Sequence, residues 1–477
     1  MLPIFSRNLL QPTAEISDTP TSDALKSFLL ELFKRLEIEQ VVYCILRNYE
    51  ILPEFIGNDI DILVHPKDKN RFENCLTTAA EMTGWMLLKN PRRFGYRAYW
   101  FKSNVEREFI HFDVWSLIHW KGLRWLDEKA VLRKRRPYKQ YYIPDSIHKN
   151  CILLIKDLIQ IGIIKDKYKK TIQSALLKQP VETIYALEWG IGERLARDIC
   201  NSVKKNDWEW IQSLKRVLHQ KVFLRELTRN PVKAIFGILN YLTQYIWSGI
   251  VRPSGYFVAL IGPDGSGKST VANGIMASMN KIFPNPAYFH GRFEILPELI
   301  FFVNYARKLF KKPMIARDTG ISASHVSSKP FSLIRALFYM LYYSLDYFLG
   351  YLIIYKVRSQ GGLIIFDRYF YDYFIQFKYM KLHPCLLDIL ILILPKPDLV
   401  VYLENSPTKI YQRKKELTLD EINQQGNRCK QIIKIIPNAM TLDTNQSVLD
   451  IVHRIENNII LRMVKRIHED SKYIAGI

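Results

Sequence analysis

The string GPDGSGKST at residues 262–270 contains the residue types that hold a polyphosphate. It fits the P-loop pattern, with the apolar run YFVALI before it and the helical run TVANGIMASM after it. Glycines let backbone N–H groups turn inward around phosphate oxygens, and the following helix directs its positive N-terminus at the same anion. Lys268 would then neutralise the β- and γ-phosphates, while the Ser269 hydroxyl would complete a Mg²⁺ shell. The string predicts a nucleoside triphosphate site whose residues are Gly262, Asp264, Gly265, Ser266, Gly267, Lys268, Ser269 and Thr270.

A second element, GGLIIFDRY at residues 361–369, ends an apolar strand on Asp367. Open α/β sheets bind ligands at the carboxyl ends of their strands, so this carboxylate can hold the metal or its water shell. Arg368 beside it can bind a second phosphate or the transferring group. The alternative is a salt bridge at the end of the strand.

Together with PDLVVYLENSPTKIYQRKKE at residues 397–416, these motifs resemble the thymidylate kinase family of P-loop nucleoside monophosphate kinases. The resemblance covers residues 256–465 and implies that the P-loop binds ATP, with Asp264 near the acceptor nucleotide. It also implies that Asp367 assists the metal and that Arg368 binds the acceptor phosphate. The resemblance further implies a basic lid at Arg413, Lys414 and Lys415. Such a lid agrees with phosphoryl transfer, which needs cations that close over the phosphates and exclude water. A solvated helix face is the alternative for that lid. The predicted catalytic residues are Lys268, Asp367, Arg368 and Arg413.

Two departures from that family concern the acceptor. Where members that use thymidylate carry an arginine-bearing REPG string, this chain has FHGRFE, which leaves Arg292 as the phosphate contact. After the DR pair, Asp372 stands near the place of the family's serine. The pattern is closer to thymidylate-kinase-like proteins associated with surface polysaccharide synthesis. We therefore predict an ATP- and Mg²⁺-dependent kinase whose small anionic acceptor is a nucleoside monophosphate or is linked to a sugar or glycan.

A group of three carboxylates stands out in the first quarter of the chain. GNDIDILV at residues 57–64 places Asp59 and Asp61 on one face of a strand, and IHFDVW supplies Asp113 from a later strand. Such a cup can hold two Mg²⁺ ions for attack on a nucleotide α-phosphate. The arrangement resembles the nucleotidyltransferase fold, in which a DxD and a later Asp are the metal ligands. That fold usually has a Gly-Ser pair upstream, where this chain has ILRNYEILP with Arg47. Either Arg47 binds the phosphate, or the domain retains binding without catalysis, or the acids cap a loop.

The order of helix and strand signals along the sequence predicts an α/β fold in three parts, which must position these residues. Residues 1–120 mix helix and strand signals as a nucleotidyltransferase-like α/β domain, and residues 121–252 form a helical extension and linker. Residues 253–477 alternate strand with helix, which implies a P-loop domain with a parallel sheet flanked by helices. Two other functions stay open: nucleotidyl transfer through the three aspartates, and an ATP-gated regulatory or binding role.

Charge and composition restrict the partners and the compartment. The 477 residues carry 68 Lys and Arg against 46 Asp and Glu, a net charge of +22 that favours anionic partners. The basic run Arg124–Lys139 could contact an anionic membrane or a glycan, although a solvated surface is the simpler interpretation, and its aromatic residues are not spaced for stacking on nucleic acid. The six cysteines form no CxxC pair and the N-terminus contains no signal-peptide pattern, so we expect a cytoplasmic protein, peripheral to the inner membrane face at most.

The most apolar stretch, Ala336–Tyr355, is long enough to span a bilayer. It contains Asp346, whose carboxylate would be costly in the middle of a membrane. We expect a buried or surface-seeking helix.

Overall fold

The computed structural model describes residues 22–475 apart from 55–58, 106–107, 251–252, 284–285, 300, 302–304, 306–307, 309–331, 377–378, 380, 384, 414 and 416. Contacts within the chain divide it into an N-terminal unit, Ala14–Ser248, and a C-terminal unit, Gly249–Arg462, and the described residues from Met463 onward group with the N-terminal unit. The sheet of the first part and the helices of residues 121–248 therefore belong to one compact unit.

A mixed six-stranded sheet forms the centre of the N-terminal unit, in the order β1-β2-β6-β5-β3, with β4 paired to β5. The pair β2 and β6 is parallel and the other pairs are antiparallel. Two small antiparallel pairs follow. The strands are β1 Tyr43–Ile45, β2 Ile60–Val64, β3 Trp85–Lys89, β4 Arg92–Arg93, β5 Tyr96–Ser103, β6 Phe109–Trp115, β7 His119–Trp120, β8 Leu123–Arg124, β9 Arg136–Tyr138 and β10 Tyr141–Ile143.

Helices cover this sheet and continue as a bundle. The first begins where Ser22 accepts a hydrogen bond from the Leu25 N–H at 3.1 Å, and it buries Phe28 completely against the ring of Trp85. The basic segment before Ser146 contains the short strands β8, β9 and β10 and one short helix. Long helices therefore dominate only from Ser146 onward. The helices are α1 Asp23–Ile38, α2 Lys69–Met82, α3 Glu128–Arg133, α4 Ser146–Ile161, α5 Asp166–Lys178, α6 Pro180–Ile191, α7 Glu193–Lys204, α8 Trp208–Ser213, α9 Lys215–Arg229 and α10 Pro231–Ile250.

The C-terminal unit is built on a five-stranded, fully parallel sheet in the order β12-β13-β11-β14-β15. Every residue of β11 and β13 is buried, as continuous apolar strands covered on both faces require. The parallel α/β sheet predicted from the alternating pattern is confirmed. Its strands are β11 Tyr256–Ile261, β12 Ala287–His290, β13 Leu363–Asp367, β14 Leu399–Glu404 and β15 Ala439–Asp443.

Helices connect these strands, and they leave the carboxyl ends of β11 and β13 side by side, since Leu260 pairs with Asp367. Both the P-loop and the DRY string follow from those ends, so the topology brings the two motifs together. The helices are α11 Lys268–Ser278, α12 Leu333–Leu349, α13 Tyr351–Ser359, α14 Asp372–Ile375, α15 Cys385–Ile393, α16 Pro407–Arg413, α17 Leu419–Ile435 and α18 Val448–Ala475.

Candidate functional site

The P-loop turns directly from β11 into α11, and glycines make the turn possible. Gly262, Gly265 and Gly267 have φ angles of 149°, 87° and 92°, a region that residues with a side chain rarely occupy. A Cβ on Gly262 would lie 2.8 Å from the Ser266 hydroxyl and 2.9 Å from the Leu403 carbonyl oxygen. The loop therefore keeps its backbone close to the sheet, and α11 begins at Lys268 with its free N–H groups at the loop.

Lys268 is buried and rests on the loop itself. Its Nζ donates to the carbonyl oxygens of Gly262 at 2.9 Å and Pro263 at 3.0 Å, and it lies 3.9 Å from a carboxylate oxygen of Asp264. Ser266 Oγ is buried without a hydrogen-bond partner among the described residues, and Thr270 is exposed in the first turn of α11. A cation held mainly by neutral carbonyls remains available to an incoming phosphate.

Ser269 and Asp367 meet across the ends of α11 and β13. Ser269 Oγ donates to Asp367 Oδ2 at 2.9 Å, and Tyr288 donates to the same oxygen at 3.1 Å. The other oxygen, Oδ1, is buried and has no hydrogen-bond partner within the described part of the chain. A hydroxyl beside a carboxylate oxygen left unpaired is a donor set that fits Mg²⁺.

The surroundings of Asp367 favour its charged form. Burial by itself would raise the pKa of this carboxyl, but the hydrogen bond from His290 and the positive charge of Lys268 outweigh burial and hold the pKa below its ordinary value of 3.8. The ring nitrogen Nδ1 of His290 lies 3.4 Å from Asp367 Oδ2. Burial and the neighbouring Asp367 raise the pKa of Tyr288 to about 12, so its hydroxyl keeps its proton and donates.

Arg368 pairs with the P-loop and not with its neighbour in sequence. Its guanidinium forms an ion pair with Asp264. To reach it, Arg368 adopts a φ of 65°, which costs a non-glycine residue about 1 kcal/mol and occurs often at functional sites. Burial would lower the pKa of Arg368, but Asp264 raises it, so the guanidinium stays charged. The predicted salt-bridge alternative thus exists, but it connects the strand end to the phosphate loop.

Asp372 begins α14 close to this pair. It accepts a hydrogen bond from Gln376 Nε2 at 3.0 Å, and burial raises its pKa above 3.8, opposed by the charges of Arg368 and Lys268.

The proposed lid residues are exposed where the structure describes them. Arg413 ends α16 with its side chain exposed, and among the described residues no hydrogen bond or ion pair joins it to the P-loop. Lys415 is also exposed, and Lys414 lies outside the described residues. Arg292 donates to the Leu296 carbonyl oxygen at 2.9 Å and lies 3.8 Å from a carboxylate oxygen of Glu298. The catalytic role of Arg413 stays a prediction.

In the N-terminal unit the three predicted carboxylates converge. Oxygens of Asp59, Asp61 and Asp113 lie within 4.8 Å of one another. The reason is the register of the two parallel strands, in which Asp61 pairs directly with Asp113. Gly57, which begins the motif, lies outside the described residues.

Two cations already occupy this carboxylate cluster. Lys156 from α4 places Nζ 2.5 Å from Asp61 Oδ1, and Arg47 forms an ion pair with Asp61 Oδ2 and lies 3.7 Å from Asp59. The indole N–H of Trp115 donates to Asp61 Oδ1 at 3.2 Å. Both oxygens of the fully buried Asp61 are therefore paired with cations, and this arrangement does not fit a metal ion bound at Asp61.

The charges in the carboxylate cluster act on one another. Burial would raise the pKa of Asp61, but Lys156 and Arg47 lower it well below its ordinary value. Burial and the charge of Asp61 raise the pKa of Asp59, with Arg47 opposing them. Burial would lower the pKa of Arg47, yet Asp61 and Asp59 raise it.

Several residues at both sites were missed from the sequence. Tyr288 and His290 reach Asp367 because their strand, β12, pairs in register with β13, with His290 opposite Asp367. His111 Nε2 lies 2.9 Å from Asp113 Oδ1, a contact that the i, i+2 spacing on β6 could have indicated. Both histidines therefore contact carboxylates of the candidate sites.

No protein-family model matches this chain, and no curated protein matches it. Solved structures similar to it include thymidylate kinase from Candida albicans, with 18% identity, a TM-score of 0.31, and coverage of 44% of this chain and 93% of that one. Thymidylate kinase from Ehrlichia chaffeensis matches with 18% identity, a TM-score of 0.29, and coverage of 44% of this chain and 100% of that one.

Proposed function

We propose that the C-terminal unit is an ATP- and Mg²⁺-dependent phosphotransferase that moves the γ-phosphoryl group to a small acceptor. The observation that carries the proposal is the hydrogen bond from Ser269 Oγ to Asp367 Oδ2 beside the P-loop. In the same loop, Lys268 donates only to neutral carbonyl oxygens. Phosphoryl transfer requires oxygen ligands for Mg²⁺, here a hydroxyl and a carboxylate, and a lysine that binds phosphate at the N-terminus of a helix.

Each of these residues has a distinct task. Lys268 would exchange the carbonyl oxygens of Gly262 and Pro263 for phosphate oxygens, which pair more strongly with a cation. Ser269 and Asp367 would hold Mg²⁺, which supplies charge neutralisation to the phosphates when bound. Tyr288 would orient Asp367 through its hydrogen bond at 3.1 Å.

The Arg368–Asp264 pair borders the acceptor side in this proposal. Because Asp264 already pairs with Arg368, the guanidinium is held in place before any ligand arrives. Arg413 and Lys415, both exposed, would complete the transferring charge only after moving toward the loop. The acceptor class we propose is a nucleoside monophosphate or a sugar- or glycan-linked group, as the motif departures suggest.

An acceptor screen with γ-labelled ATP tests this function. The panel contains dTMP, sugars, sugar phosphates and lipid-linked glycans, each with the full chain and Mg²⁺. We expect label in one acceptor class with the wild type and none with Lys268→Ala. ATP binding without transfer to any acceptor would instead support an ATP-gated regulatory protein and would contradict the kinase.

Nucleotidyl transfer by the N-terminal unit is the second candidate, favoured by the convergence of Asp59, Asp61 and Asp113. Pyrophosphate release distinguishes it from kinase chemistry. Since Lys156 and Arg47 occupy Asp61, we expect no release by the wild type. Release that is lost in Asp59→Ala and persists in Lys268→Ala would assign the chemistry to the N-terminal unit.

We also propose a cytoplasmic location, where ATP is supplied. All six cysteines are free thiols and five are buried, which is compatible with a reducing compartment. The partners we propose are the nucleotide and the acceptor, without nucleic acid.

A further inference from the structure

One helical stretch among the described residues, Leu333–Ser359, is long and apolar enough to cross a membrane, and a third of its apolar window is buried. It contains α12 and α13. One face packs on the sheet of the C-terminal unit: Ala336, Met340 and Tyr347 are at most 1% exposed and belong to the same core as Phe366 of β13. The helix is therefore part of the folded unit on this side.

Asp346 fixes that face in place. Its side chain is fully buried, and its two oxygens accept backbone hydrogen bonds from Phe293 at 2.9 Å and Leu296 at 2.7 Å. Tyr347 donates to the Gly291 carbonyl oxygen from the next position. Crossing a bilayer would break these bonds and leave a carboxylate and two N–H groups in hydrocarbon. The packing of Asp346 in this fold is therefore incompatible with a membrane-spanning position of the stretch.

The opposite face is apolar and exposed among the described residues. Six side chains at alternating spacings of four and three residues are 49–82% exposed, which places them on one side of the helix. We call them the apolar stripe; they are Ile334, Phe338, Leu341, Leu345, Phe348 and Leu352.

The exposed charges carried by this helical stretch are of one sign. The only acid in Leu333–Ser359 is Asp346, which is buried on the other side. Exposed basic residues stand near the two ends, Arg335 at the first and Lys356 at the second. The whole chain carries a net charge of +22. An apolar surface bordered by cations complements a bilayer with anionic headgroups, because the apolar side chains can enter the acyl region while the cations meet the headgroups.

We propose that the apolar stripe docks the protein on an anionic phospholipid bilayer, with the helix lying in the plane of the interface. Phe338 and Phe348 would insert at the boundary between headgroups and acyl chains, while Arg335 and Lys356 would face the headgroups. The sheet side of the helix stays packed, so docking requires no unfolding.

Flotation of the full chain with vesicles tests the proposal. Vesicles of phosphatidylcholine with about 30% phosphatidylglycerol are compared with pure phosphatidylcholine vesicles, because surface charge contributes attraction for each nearby cation. We expect the wild type to partition at least tenfold more strongly onto the anionic vesicles. The double variant L341E/L345E should lose at least tenfold of that binding, and Lys356→Gln should lose roughly fivefold.

The matched control is L461E/I435E, which makes the same kind of change at exposed positions on α18 and α17 of the same unit, where the side chains are 66% and 51% exposed. It should bind vesicles as the wild type does. ATP binding by each variant confirms that the C-terminal unit is folded.

Three results would overturn the proposal. The first is no flotation of the wild type with anionic vesicles. The second is equal flotation of the wild type and L341E/L345E, which would move the contact to another surface. The third is a wild-type dimer in sedimentation velocity that L341E/L345E dissociates, which would make a second copy of the chain the occupant of the apolar stripe.

Discussion

The P-loop and the carboxylate cluster each place a buried lysine among oxygen atoms, but the oxygens differ in charge. Lys268 rests on two neutral carbonyls, whereas Lys156 rests on the carboxylate of Asp61, which Arg47 also contacts. A phosphate competes easily with carbonyls for a lysine, and poorly with a buried carboxylate already held by two cations. Two sites with similar residue types therefore differ in their capacity to bind an anion. The difference is the charge of the group that the lysine already contacts.

The largest effect is expected from Lys268→Ala. Loss of the cation should reduce phosphoryl transfer by about 10³-fold, since an electrostatic contact to transferring charge contributes on this scale. Turnover of γ-labelled ATP measures it. Lys281→Ala, which removes an exposed lysine just beyond α11, is the control and should retain activity. Equal activity of both variants would mean that Lys268 does not contact the phosphates.

Lys156→Met is expected to destabilise the N-terminal unit by about 3–5 kcal/mol, because it leaves the buried Asp61 with Arg47 alone. All nine tryptophans lie between residues 85 and 247, so tryptophan fluorescence follows this unit within the full chain. The matched change on the same helix is Lys149→Met, which breaks a pair with the half-exposed Glu50 and should cost about 1 kcal/mol or less. A Lys156→Met variant as stable as Lys149→Met would show that the carboxylate cluster is not held by its cations.

Ser269→Ala is expected to weaken Mg²⁺-dependent ATP binding by about 10- to 100-fold, because Asp367 loses the hydroxyl that it contacts at 2.9 Å. Titration of ATP with and without Mg²⁺ measures the difference. Ser278→Ala removes a hydroxyl that bonds a carbonyl within the same helix and should leave binding unchanged. Weakening that is the same in the absence of Mg²⁺ would argue against a metal at this pair.

The smallest effect concerns pH. Because the pKa of Asp59 is raised above 3.8 in the folded chain, the folded state holds a proton there that the unfolded chain has lost. Stability therefore falls as pH rises through the interval between 3.8 and the raised value. Asp61 behaves oppositely: its depressed pKa contributes stability that is present at neutral pH and is lost only in acid below 3.8. In thermal unfolding followed by tryptophan fluorescence, the stability of Asp59→Asn should change less with pH than that of the wild type between about pH 4 and pH 7. A profile unchanged by that substitution would contradict the raised pKa.

Local pattern was enough to predict much of the C-terminal unit. The run LIIFD is continuously apolar up to its last residue, so a buried parallel strand that ends on Asp367 follows from the residues. The P-loop glycines likewise predict their own backbone conformation. The i, i+2 spacing of Asp59 and Asp61 predicted a shared face, and the strand register brought Asp113 to it.

Contacts between distant segments were not predictable from the pattern. Lys156 lies in α4, whose sequence is typical of a buried apolar helix. Its contact with Asp61 depends on how α4 packs against the sheet, which the local sequence does not indicate. The same holds for Arg368, whose pairing with Asp264 depends on a left-handed backbone conformation. In the basic run Arg124–Lys139, Arg133, Lys134 and Arg136 are exposed, as a solvated surface implies, whereas Arg124 pairs at 2.8 Å with the buried Glu226, a contact that the local pattern does not indicate.

The number of ATP molecules bound by each chain tests the comparison most directly. In calorimetric titration with Mg²⁺, the account predicts one ATP per chain for the wild type and for Asp59→Asn, and none for Lys268→Ala. Binding that persists in Lys268→Ala and is lost in Asp59→Asn would contradict it, because the nucleotide would then lie at the carboxylate cluster.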